Sequence, residues 1–144
     1  MAFLLDTNVV SELRKRERAD SAVRQWFSTV EDSDLYVSAL VVGEIRRGIE
    51  LLRRRDADSA GALDRWLSGL ERRYEDRILP VTVEICRVWG GLSLDRPLAP
   101  IDGLMAATAI HHGLTLVTRN AGDVERSGAD VLNPFQPTRR ALPG

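Results

Sequence analysis

Phe3-Leu4-Leu5-Asp6-Thr7-Asn8 is the stretch that decides the fold. A short apolar run ends abruptly in a carboxylate, a hydroxyl and an amide. Such a run reads as a strand buried on both faces, and strands of that kind belong to parallel sheets covered by helices. Ligands of open parallel sheets bind beyond the carboxyl ends of the strands, which is where Asp6 falls. Asp6 then has two readings: a turn or helix-capping residue, or a carboxylate of a site. Other acids returning to the same edge would decide for the second.

Working outward, strand and helix patterns alternate. Val9, Val10 and Leu13 continue from Asn8, a possible cap, as one or two helical turns. Val23, Trp26, Phe27 and Val30 mark a helix over about 20–30. Leu35-Tyr36-Val37 predicts a second strand, with Ser38 as a capping candidate for a helix over about 39–54. Val41, Val42, Ile45, Ile49 and Leu52 form its apolar stripe, and Glu44 lies beside that stripe, one turn in. Arg46, Arg47 and Arg53 to Arg55 populate the other side, a solvated face from which some could track phosphates. Asp56 to Ser59 is expected to interrupt the pattern before Leu63, Trp66, Leu67 and Leu70 resume it.

Ile78 to Val81 predicts a third strand, and Thr82 a cap for a helix carrying Val83, Cys86, Val88, Trp89 and Leu92. Cys86, the only cysteine, is expected in the core. After the extended Pro97 to Pro100, a small-residue helix runs to Ile110 with Gly113 as its stop and Asp102 at its N-terminus. His111 and His112 are adjacent, so they point apart; both are read as structural or solvated. Leu114 to Val117 is another buried-type strand ending in Thr118-Arg119-Asn120, with Asp123 just beyond, and Val131 to Asn133 a last short one. The expected architecture is a three-layer α/β/α sandwich around a parallel sheet of four to five strands. It forms one domain over 1–135, followed by a flexible tail over 136–144.

In that architecture Asp6, Glu44, Asp102 and Asp123 all map to one edge of the sheet. Carboxylates gathered in a pocket repel unless a cation neutralises them. An all-oxygen set without cysteine or committed histidine suits a hard ion, Mg²⁺ or Mn²⁺. Such ions cleave phosphodiesters by activating water and stabilising in-line displacement.

The bulk properties narrow the class further. The chain has 144 residues and a net charge of -1, so no global basic field marks a nucleic-acid partner. A single cysteine excludes an intramolecular disulfide and fits a reducing compartment. Ala2 to Leu5 is too brief for a secretory signal and no apolar run reaches a membrane span, so a soluble cytoplasmic protein is expected. Gly90-Gly91 has neither the Walker nor the dinucleotide spacing. Phosphoryl-accepting domains using Asp6 fit poorly: position 8 is Asn, and the only lysine is Lys15.

The motifs resemble the PIN-domain ribonucleases, and within them the toxins of VapBC type II toxin–antitoxin systems. The resemblance covers nearly the whole chain. It is carried by Leu4 to Glu12, by Val37-Ser38-Ala39 leading to Gly43-Glu44-Ile45, by Ile101 to Ala109, by Gly113 to Asn120 and by Asn133-Pro134-Phe135. It implies a Mg²⁺-dependent endoribonuclease, with Mn²⁺ substituting, in which Asp6, Glu44 and Asp102 match the family's acids. Asp123 would supply the fourth charge, since Asn120 stands where some members carry an acid. Thr7, Asn8, Thr118 and Asn120 match polar positions lining the site. The resemblance further implies a VapB-type antitoxin whose C-terminal segment wraps the toxin and plugs the acidic pocket, often with a basic side chain, in a groove formed partly by the helices after strands one and two. It also implies a transfer or ribosomal RNA target and a homodimer. A binding module of the same shape without hydrolysis is the alternative.

Overall fold

The structure, a computed structural model, describes residues 1–137. Five strands form one parallel sheet: β1 (Phe3–Leu5), β2 (Leu35–Ser38), β3 (Ile78–Leu79), β4 (Thr115–Val117) and β5 (Val131–Leu132). Their order is β3-β2-β1-β4-β5. β1 is the central strand, pairing Leu5 with Val37 on one side and with Val117 on the other. Phe3, Leu4 and Leu5 are all buried, as a strand covered on both faces requires.

Seven α-helices among the described residues cover the sheet: α1 (Thr7–Leu13), α2 (Ser21–Ser28), α3 (Ala39–Arg53), α4 (Ala57–Arg73), α5 (Val83–Gly90), α6 (Pro100–His112) and α7 (Ala121–Glu125). From β1 the chain steps one way to β2 and β3, then crosses back to β4 and β5. With right-handed crossovers, α1 to α4 fall on one face and α5 to α7 on the other. The packing agrees: α1 meets α2 and α3, α3 meets α4, α5 meets α6 and α6 meets α7. The three-layer sandwich expected from the sequence is the fold. The connections after β1 and β4 leave to opposite faces, so a crevice opens between those two neighbouring strands, the usual seat of a ligand in such sheets.

The helix boundaries have local causes. Ser38 accepts from the Leu40 N–H at 3.0 Å and starts α3. Thr82 accepts from the Ile85 N–H and starts α5. Gly113, in the left-handed region at φ 66°, ends α6.

Several expectations need correction. The cap of α1 is Asp6, which accepts from the Thr7 N–H at 2.7 Å, and not Asn8. The break expected over Asp56 to Ser59 is shorter than that: α3 ends at Arg53, Asp56 is non-helical, and by accepting from the Ser59 N–H and hydroxyl it opens α4 already at Ala57. Cys86 is exposed, not core. Ile85 turns inward with no exposed surface and sets the helical phase, so its neighbour Cys86 faces out and Val83 and Trp89 stay largely exposed. The predicted tail lies outside the described residues from position 138 onward.

Candidate active site

Asp6 sits at the end of β1, buried, with its backbone N–H donating to the Val117 carbonyl of β4. Its two oxygens have different duties. One caps α1. The other accepts from the Thr118 hydroxyl at 2.7 Å and, at 3.4 Å, from the Asn8 amide. Thr118 is fully buried and directly follows β4. Its hydroxyl also accepts from the Asn8 amide at 3.3 Å and from the Asn120 N–H at 3.1 Å. The Asn8 carbonyl oxygen accepts from the Arg119 N–H at 3.1 Å. Asn8 therefore laces the ends of two neighbouring strands together, with all its bonds crossing the crevice or reaching Asp6.

Glu44 projects from the second turn of α3. The hydroxyl of Thr7, the residue after Asp6, donates to Glu44 at 2.6 Å. Asp102 lies in the first turn of α6, entered through Pro100, so the positive end of the helix dipole faces its carboxylate. Even so, its carboxyl is held above the usual aspartate range. Burial is the first cause, followed by the negative charges of Asp6 and Asp123. The charges of Asp6 and Asp123 thus bear on Asp102. Asp123 is exposed in the short α7, and Asn120 stands exposed at the start of that helix.

All four acids therefore gather at the carboxyl edge of the sheet, three coupled by charge and Glu44 through Thr7. They are not tightly packed. Among the described residues no three of them come close enough to ligate one ion directly. A Mg²⁺ ion retains several of its waters and takes only one or two protein carboxylates directly. The loose, all-oxygen and mutually repelling set fits that hydrated kind of binding.

Reading single residues missed the pairing of Thr7 with Glu44 and the lacing role of Asn8. Both are contacts across the chain that spacing does not reveal. The arginine face of α3 proved partly engaged: Arg46 and Arg53 pair with Glu50 and with Asp64 of α4.

A parallel sheet carrying acids at its crevice defines a class of α/β domains with an acidic ligand edge, and comparison with known proteins narrows it. The PIN domain family matches residues 3–126. The VapC ribonuclease Y4jK of Sinorhizobium fredii is 33% identical over 143 residues, spanning 94% of this chain and 99% of that one. The toxin FitB of Neisseria gonorrhoeae is 31% identical, spanning 92% of this chain and 98% of its own length. The crystal structure of FitAcB from Neisseria gonorrhoeae superposes with a TM-score of 0.84 at 31% identity, over 93% of this chain and 99% of that one. The chain belongs to the PIN-domain family, in its VapC-type toxin branch.

Proposed function

We propose that the chain is a metal-dependent endoribonuclease, the toxin of a type II toxin–antitoxin pair. The observation that carries this reading is the convergence of Asp6, Glu44, Asp102 and Asp123 on the carboxyl edge of the sheet, with Thr7 of the Asp6 turn donating to Glu44 at 2.6 Å. Carboxylates brought to one edge repel one another unless a cation neutralises them. Asp6, Glu44, Asp102 and Asp123 would hold Mg²⁺, or Mn²⁺ in its place. When bound, the ion supplies water activation and stabilises charge at phosphorus.

The chain's own residues do the positioning. Thr118 and Asn8 fix the orientation of Asp6, and Thr7 fixes that of Glu44. Asn120 stands at the start of α7 with no side-chain hydrogen bond among the described residues and would orient water there.

The antitoxin would lie in a cleft of about 550 Å³ between α1, α2 and α4. Leu13, Phe27, Trp66 and Leu70 line it, with Arg14, Arg24 and Arg73 alongside. An apolar floor beside arginines fits an amphipathic segment with acidic side chains. A homodimer acting in the cytoplasm completes the reading. No helix of the described residues is long and apolar enough to cross a membrane.

Purified chain with Mg²⁺ is expected to cut bulk transfer and ribosomal RNA, and EDTA to stop it. Asp6→Ala should lower the rate at least about 100-fold, roughly 2.7 kcal/mol of barrier. Mapping RNA ends after brief induction, with Asp102→Asn as the relieved control, identifies the target. The looseness of the acid set favours one rival, a binding module of the same shape. RNA bound but left whole in Mg²⁺ and Mn²⁺ would decide for that rival.

A further inference from the structure

A pocket built from acids repels the polyanion it is read as cutting, and the chain's net charge of -1 offers no general attraction. Some cation must hold the substrate near the crevice. Several arginines are already committed: Arg46 and Arg53 to Glu50 and Asp64, and Arg73 and Arg77 to Asp32. Arg119 forms no ion pair among the described residues. It directly follows Thr118, whose hydroxyl holds Asp6.

Both the backbone and the side chain of Arg119 are fixed. Its N–H donates to Asn8 at 3.1 Å, and its carbonyl accepts from the Asn133 amide at 3.4 Å. Asn133 in turn accepts from the Phe135 N–H at 2.9 Å. The guanidinium lies 3.9 Å from the centre of the Phe135 ring. A guanidinium over an aromatic face keeps its planar fork of N–H donors, and among the described residues that of Arg119 has no acceptor. That geometry matches two oxygens of one phosphodiester. Immobilisation on the ring lowers the ordering cost of binding. The charge also reaches α1: the Glu12 carboxyl is held below the usual range chiefly by its hydrogen bond from Lys15, with Arg119 contributing.

We propose that Arg119, clamped on Phe135 beside the end of β4, grips a backbone phosphate of the RNA substrate next to the acidic pocket. The proposal rests on the reading of the chain as acting on RNA. It predicts a contact that is independent of base identity and screened by salt.

The test measures anisotropy of a labelled single-stranded oligoribonucleotide of mixed sequence, with Ca²⁺ in place of Mg²⁺, across a KCl series. Arg119→Ala is expected to weaken binding about tenfold at low salt. Its plot of log affinity against log salt should be shallower by about 0.7, the loss of one single-strand phosphate contact. Arg119→Lys should recover the slope and only part of the affinity, and Phe135→Leu should fall between. In Mg²⁺, Arg119→Ala should raise KM and leave kcat within about twofold. Thermal melts identify any variant that fails to fold, in which case Arg119→Lys and Phe135→Leu carry the comparison. Unchanged slope and affinity in Arg119→Ala, or no RNA binding by the parent, overturns the proposal. If the slope changes while even the parent leaves RNA uncut in Mg²⁺, the phosphate contact stands and the nuclease reading alone fails.

Discussion

Asp6 serves two neighbours with one carboxylate. Its first oxygen caps α1 and its second receives Thr118. The two readings open at the level of sequence were therefore never exclusive, because a carboxylate has lone pairs enough for both. The edge positions of Asp6 and Asp102 were legible because they stand at a strand end and a helix start, where periodicity stops; Glu44, in the second turn of α3, lies inside a periodic stretch. Their hydrogen-bond partners were not, since Thr7 and Glu44 are 37 residues apart and meet only when β1 and β2 pair.

Asp102 gives the residue scale a measurable consequence. Its carboxyl is raised by burial and by Asp6 and Asp123, so folding favours the protonated form. That preference is fully present below the unfolded value near 3.9 and is lost as pH rises through the higher folded value. At neutral pH the ionised group therefore subtracts from stability. In metal-free buffer Asp102→Asn should melt about 2 °C above the parent at pH 7, with the gap closing under acid conditions. Mg²⁺ should then raise the melting point of the parent and not of the variant. Calorimetry over pH 3–8, with and without Mg²⁺, checks both (a range set by the usual aspartate value).

At the scale of elements, α5 and α6 pack through Gly103. A Cβ there would stand 2.8 Å from Nε1 and 2.9 Å from Cδ1 of Trp89. The indole belongs to a side chain that is 42% exposed, yet it leans on the helix bearing Asp102. Gly103→Ala should separate the two helices and cost about 1–3 kcal/mol, read as a shift in the urea midpoint. Trp89→Ala in the same chain should recover much of that loss. Sequence periodicity located α5 but misjudged its phase. Its apolar residues lie on several sides of the helix, and only packing selects Ile85 as the inward one. It also misjudged the start of α4, because Asp56 to Ser59 carries capping chemistry with no apolar stripe to announce a helix.

For the whole molecule, the cleft between α1, α2 and α4 lies on the face opposite α5 to α7, and the acids stand at the sheet edge. If the antitoxin occupies that cleft as proposed, its capture and RNA cutting should be separable by mutation. Leu70→Glu in the cleft should weaken antitoxin binding about 100-fold, as loss of a central apolar anchor does, while RNA cleavage persists. Titration calorimetry with the antitoxin and a cleavage assay on the same preparation decide it.

The sheet order carries one more consequence, for the moment of synthesis. β1 is translated first but lies in the middle, and Thr118, 112 residues downstream, completes the setting of Asp6. At ordinary elongation rates that partner arrives on the order of 10 s later. A nascent or prematurely terminated chain lacking β4 has only the Thr7 N–H and the Asn8 amide to hold that carboxylate. Whatever the site does, it is therefore assembled only after four of the five strands have been made.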